Sequence, residues 1–398
     1  PLSFIPYNLR KGFGLPTIEH QDAIFGYTFY RLLQRAKHCT LIYSEKQDGM
    51  NKREKSRFIY QLQYDPIFAI KEKNITWDIQ ITAPSPIIIE KNETMQAALE
   101  KYCEQEKKYL SASALNTYLD CPLRFYFSHV AEINEPERLQ EEVDALTMGN
   151  LLHYCMHKLY SSFGNTPLSE ALLHALYNNK EKISSVIQQA IRECWHDKTT
   201  YQAVSGSDII MRDVLNKYMR QVIIIDKKRC PFTMFQLEKE YRHTIDIVVQ
   251  KKKLRVLLGG KIDRMHIRNN SLYVIDYKTG IAQQNTDTLE QLFDGENNKR
   301  NHAVFQLLFY CYIIRQSHIS NHKLVPAIYS MRALFDENFT EEILIGKQPV
   351  HDYGTYHEPF EELLKTLVTN IFSPDIPFVQ TKNTCLCENC VYKGICRK

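Results

Sequence analysis

From about residue 235 the apolar pattern of this chain changes period from the 3.6 of a helix to the 2 of a strand. Three stretches, 235–249, 254–268 and 271–278, read as consecutive strands, and the short polar link from Arg268 to Ser271 makes the last two a hairpin. Side chains alternate along a strand, so Asp276 and Lys278 share one face while Ile275 and Tyr277 take the other. Asp263, in Gly259-Gly260-Lys261-Ile262-Asp263-Arg264, can approach Asp276 from the neighbouring strand. Two carboxylates at one point make an oxygen-rich site suited to Mg²⁺ or Mn²⁺. A lysine beside them can orient an attacking water and counter the charge that develops on a phosphate, while the cation lowers the pKa of that water. An Asp-x-Lys pair alone fits a surface strand equally well.

Helical patterns surround these strands. Ser111 and Ser113 can cap a helix carrying Leu115, Tyr118, Leu119 and Leu123, and further helices are expected near 141–163, 167–178, 181–196 and 206–226. After the strands come a helix at about 300–316, a strand at 323–332 and a helix at 357–371. The first 70 residues mix a helical pattern, Asp22 to Lys37, a short strand, Cys39 to Tyr43, and a basic loop, Lys46 to Lys55; residues 71–95 read as a strand-rich connector ending in Pro84 and Pro86. The expected fold is α/β, a mixed α+β sheet flanked by helices. Its domains would be 1–70, a connector 71–104, and 105–398 with a helical insertion at about 165–230 lying over the active edge. Glycine, 14 of 398 residues, falls below the usual share of about 7%, as suits a helix-rich chain. No run of about 18 apolar residues offers a membrane span.

Two more features join the acidic strands. Gly149-Asn150-Leu151-Leu152-His153 places a histidine on a long helix, with His157 one turn later as a competitor, and Gln306 and Tyr310 stand four apart on one helix face. In this order, Gly-x-x-x-His, Gly-x-Ile-Asp-Arg, Asp-Tyr-Lys-Thr-Gly and Gln-x-x-x-Tyr, the stretch 149–310 resembles the PD-(D/E)XK nucleases of the RecB/AddB type. The resemblance implies a restriction-endonuclease-like core in which His153, Asp263 and Asp276 bind the metal with the Tyr277 backbone carbonyl. It makes Lys278 the catalytic lysine, and has Gln306 and Tyr310 orient DNA and the site. The proline of the motif is replaced here, Ile275 preceding Asp276. Glu238 or Glu240 is a weaker candidate acid, expected to be an exposed strand charge. The implied activity is Mg²⁺- or Mn²⁺-dependent hydrolysis of DNA, on single-stranded ends during double-strand-break repair, as part of a helicase–nuclease with a partner subunit. The alternative is a DNA-binding structural subunit with an idle site.

Eleven cysteines are distributed unevenly. Cys39, Cys103, Cys121, Cys155, Cys194, Cys230 and Cys311 are scattered singly, whereas Cys385, Cys387, Cys390 and Cys396 crowd the last 14 residues. A small secreted disulfide framework looks different, so a reducing cytoplasm is expected, and close thiolates ask for a soft metal. AddB-type nucleases pair an early cysteine with a terminal triplet. That resemblance implies a 4Fe-4S cluster on Cys121, Cys387, Cys390 and Cys396, with Cys385 spare or a fallback ligand. Two readings compete with it. Cys121 would be a small buried residue before Pro122, and the tail would form a zinc-stapled interaction module, although zinc usually takes two close pairs.

Residues 15–43 resemble the last part of a superfamily 1 helicase-like domain, with Arg35 of Gln34-Arg35-Ala36 at the position that contacts nucleotide in active motors. No Gly-x4-Gly-Lys-Ser/Thr loop occurs in this chain to cradle a phosphate. The first residue is Pro1, so an upstream part is expected. The formal charge, +4 from 50 basic and 46 acidic residues, neither demands nor excludes nucleic acid. Lys52-Arg53 with Lys55 and Arg57, Lys227-Lys228-Arg229, Lys251-Lys252-Lys253 with Arg255, and 24 tyrosines would suit single-stranded DNA, but none is singled out as a contact.

Overall fold

The computed structural model describes residues 5–43, 55–75, 85–104, 108–133, 144–195, 206–280, 282–297, 299–319 and 321–397. The chain divides into two compact units, Pro1–Thr82 and Ala83–Lys398. The first holds helices α1 (Tyr7–Gly12), α2 (Ile18–Leu33) and α3 (Arg57–Tyr64). Phe29 of α2 stacks on Phe58 of α3 with ring centroids 5.2 Å apart, and the Tyr30 hydroxyl donates to Gln61 at 2.8 Å. The expected strand Cys39–Tyr43 does not form, because no described segment pairs with it. The basic loop ahead of Lys55 and the part of the connector from 76 to 84 lie outside the described residues.

The second unit opens with β1 (Ile88–Ile89) and α4 (Glu93–Glu100), so part of the expected strand-rich connector is helical. Asn92 explains this: its side chain accepts from the Met95 N–H and caps the first turn. There follow α5 (Ala112–Asp120), α6 (Pro122–Phe125), α7 (Ala145–Ser161), β2 (Pro167–Leu168), α8 (Glu170–Asn178), α9 (Lys180–Cys194) and α10 (Gly206–Arg229). Then come β3 (Phe232–Val249), β4 (Lys252–Arg268), β5 (Ser271–Lys278), β6 (Asn285–Thr286), α11 (His302–Gln316) and β7 (Lys323–Ser330). The unit ends in β8 (Leu344–Ile345), β9 (Gln348–Pro349), α12 (His357–Phe372), β10 (Phe378–Val379), α13 (Cys385–Glu388) and α14 (Lys393–Cys396).

The main sheet runs β2-β3-β4-β5-β7, antiparallel except for the parallel pair β5–β7. Both hairpins turn on two residues with positive φ, Gln250-Lys251 and Asn269-Asn270, the backbone that two-residue turns between twisted strands require. Period-2 alternation sorts β5 between two cores. Leu272 and Val274 join α5, α11 and α12, while Ile275 and Tyr277 join α7 and the helices α8–α10. Helix α11 is buried from 304 to 314 on all sides except at Gln306, which makes it the central helix of its layer. Asn301 caps it through the Ala303 and Val304 N–H groups, at 3.2 and 3.1 Å.

The second layer is pinned by a fully buried ion pair. Arg264 of β4 grips Asp226 of α10 with two nitrogens, at 2.8 and 3.1 Å, and the Tyr329 hydroxyl donates to the same carboxylate at 3.0 Å. The Tyr160 hydroxyl of α7 donates to it at 2.5 Å. Among the described residues no helix is long and apolar enough to cross a membrane.

Candidate active site

The site lies where α7 crosses β3 and β4 and where β5 ends beneath α11. Asp144 caps α7 by accepting from the Thr147 N–H at 2.7 Å, and the helix carries His153 two turns on. His153 Nδ1 lies 3.1 Å from Glu238 Oε1 and 3.3 Å from Asp263 Oδ1. Asp263 is locked across the sheet, because its Oδ2 accepts from the Tyr277 N–H at 2.8 Å. Ligand atoms of His153, Glu238 and Asp263 all lie within 4.8 Å of one another, a possible metal site.

Asp276 takes the other side. Its Oδ2 is 2.9 Å from Lys278 Nζ, as their shared strand face requires. Lys278 also donates to Gln306 Oε1 at 2.8 Å, and Gln306 Nε2 donates to the Tyr310 hydroxyl at 2.8 Å. The i, i+4 pair on α11 is thus one hydrogen-bonded arm that holds the lysine ammonium. Gly260 makes room for it: a Cβ there would sit 2.5 Å from Tyr310 Cε1. At Gly259 the same atom would sit 2.7 Å from the Tyr109 ring.

Burial pushes the Asp276 carboxyl up to about 6, against the pull of Lys278. Burial alone would lower Lys278, but Asp276 and Asp263 outweigh it and hold the ammonium above its usual range. Burial also acts to lower His153, yet the hydrogen bonds to Asp263 and Glu238 win and raise it to about 10.

The structure brings His153, Asp263, Asp276, Tyr277, Lys278, Gln306 and Tyr310 to this one region. Glu240 is the exposed strand charge that was expected, 43% exposed and paired with Arg242 at 2.6 Å. Glu238 is not. Its side chain is only 11% exposed and faces His153. The two acids have the same parity on β3, so alternation cannot separate them. Their difference comes from the backbone of Glu238, whose φ of +49° departs from the strand and accompanies a carboxylate turned to His153 of α7.

A second constellation lies apart from this one. Cys121 forms the joint between α5 and α6, and it lines one pocket with Cys387, Cys390 and Cys396, together with Asp120, Arg124 and Lys393. Cys385 is exposed and not part of the lining. Burial, then the neighbouring Cys121, Cys390 and Cys387, raises the Cys396 thiol.

Fold and site together describe a nuclease: a mixed sheet presenting two aspartates and a lysine at the edge of its central strands. The chain belongs to the PD-(D/E)XK nuclease superfamily, whose family model matches residues 109–397. It is also similar to an ATP-dependent helicase/deoxyribonuclease subunit of Carboxydothermus hydrogenoformans, 24% identical over 333 residues, which cover 80% of this chain and 28% of that protein. The chain thus spans less than a third of that relative. Among solved structures, the crystal structure of SSO0001 covers 71% of this chain and 94% of its own, at 12% identity and a TM-score of 0.19, too weak a likeness to carry weight.

Proposed function

We propose that this chain hydrolyses DNA phosphodiesters with Mg²⁺ or Mn²⁺, acting on single-stranded ends in double-strand-break repair, as the nuclease part of a helicase–nuclease that works with a partner subunit. The observation that carries the reading is the convergence of His153 and Asp263 with the Asp276–Lys278–Gln306–Tyr310 arm. The choice of DNA and of a motor-coupled setting is supported by the name of the relative above. The residues that would hold the cation are His153, Asp263, Asp276 and the Tyr277 carbonyl. A cation there supplies a more acidic water and polarises the scissile phosphate. Lys278 orients the attacking water and meets the charge developing on the phosphate. Gln306 fixes the ammonium, and Tyr310 fixes Gln306. Residues 1–70 would be the remnant of a helicase-like domain, and the compartment cytoplasmic. The complete set of site residues favours an active centre over an idle structural subunit.

Digestion of end-labelled single-stranded DNA tests this. A product ladder in Mg²⁺ or Mn²⁺ that vanishes in EDTA is expected, and its direction gives the polarity. Intact DNA with either metal, or cleavage indifferent to EDTA, would contradict it.

The cysteine pocket is proposed to hold a 4Fe-4S cluster on Cys121, Cys387, Cys390 and Cys396. Support for the cluster comes from the one pocket that Cys121 shares with Cys387, Cys390 and Cys396. Protein purified without oxygen should be brown and contain iron and acid-labile sulfide. Colourless protein from the same preparation, with stoichiometric zinc, would overturn the assignment.

A further inference from the structure

We propose that Glu238 is an additional ligand of the cation centre, that Lys261 occupies it until the cation arrives, and that the displaced Lys261 then meets a phosphate of the DNA. The inference rests on the nuclease reading above, and it adds two residues that the sequence motifs do not include.

The backbone first sets Glu238 apart. The β3–β4 ladder pairs Leu237 with Arg264 and Lys239 with Ile262, which sets Glu238 opposite Asp263. Its φ is +49°, a left-handed conformation that a non-glycine residue seldom takes within a strand. The effect is to aim its carboxylate at α7. Oε1 lies 3.1 Å from His153 Nδ1, and the group closes the triad with Asp263. With Asp276 across the site, the centre then offers oxygen from two strands besides β5 and nitrogen from a helix, a mixed set that suits Mn²⁺ as well as Mg²⁺.

The other oxygen of the same carboxylate is taken by an ammonium. Lys261 Nζ stands 2.6 Å from Glu238 Oε2, and its side chain is 59% exposed against 11% for Glu238. The ammonium thus approaches from the solvent side, on a flexible stem that can leave without moving the sheet. Lys261 thus places a positive charge beside the acids of the site. A divalent cation held by His153, Asp263 and Glu238 would make that charge redundant. Lys261 would then be repelled outward. Neighbouring Glu240 offers Lys261 little alternative, since Arg242 already holds it at 2.6 Å. The ammonium is then free on the open face by which a DNA strand must enter, and a phosphate is the anion it would meet there.

Calorimetric titration of Mn²⁺ into the full chain tests the exchange. Glu238→Gln should weaken Mn²⁺ binding by at least about tenfold, while Lys261→Met, which removes the competing ammonium, should tighten it severalfold. With Mn²⁺ bound, Lys261→Met should also flatten the salt dependence of single-stranded DNA affinity by about 0.7 in slope, one phosphate contact. Wild-type affinity in Glu238→Gln, or unchanged or weaker Mn²⁺ binding in Lys261→Met, would overturn the proposal. Asp263→Asn separates this failure from a larger one. If Asp263→Asn loses Mn²⁺ and Glu238→Gln does not, Glu238 alone is excluded. If Asp263→Asn binds like wild type, the metal centre itself is wrong.

Discussion

Lys278→Ala is expected to lower the rate of DNA cleavage by about 10²- to 10³-fold in kcat, the usual loss when one positioned charge is removed from a developing anion. KM should change little. The ammonium is held by Asp276 at 2.9 Å and Gln306 at 2.8 Å, both belonging to the protein, so its position does not depend on bound substrate. Its removal also leaves Asp276 buried without the cation that opposes its upward shift. Single-turnover cleavage of end-labelled single strands measures the effect. A rise in KM with kcat intact would mean that Lys278 binds DNA and takes no part in the chemistry.

Arg264→Met should be the most damaging single change to stability, by about 3–5 kcal/mol, because it strands a buried carboxylate. Asp226 would keep only the Tyr160 and Tyr329 hydroxyls in place of a two-pronged guanidinium. Urea unfolding of wild type and variant reads this directly. The double variant Arg264→Met with Asp226→Leu should recover much of the loss, since an apolar replacement of both partners removes the stranded charge. A loss below about 1 kcal/mol in the single variant would show that the pair contributes little. The position of the pair gives it further meaning. Arg264 follows Asp263, and Tyr277, whose hydroxyl accepts from Arg264 at 3.3 Å, follows Asp276. Each site carboxylate is therefore one residue from a side chain anchored in the core beneath α7 and α10.

Much of this was legible where the determinants are local. The expected strands 235–249, 254–268 and 271–278 correspond to Phe232–Val249, Lys252–Arg268 and Ser271–Lys278. Alternation placed Asp276 beside Lys278, and helical spacing placed Gln306 beside Tyr310. Contacts between distant segments were not legible. Nothing in the sequence links Arg264 to Asp226, since that partner is fixed only when α10 packs on the sheet. Burial of Glu238 depends on a local reversal of the backbone that no periodicity reports. Cys39–Tyr43 has strand-forming residues and no partner among the described segments, and propensity without a partner does not make a strand.

The most direct test of the central claim, that the paired strands build a cation-binding centre, is Mn²⁺ titration of wild type and Asp276→Ala, followed by calorimetry. The account predicts binding by the wild type and its loss, or a weakening of at least about tenfold, in the variant. Equal binding by both proteins would contradict it.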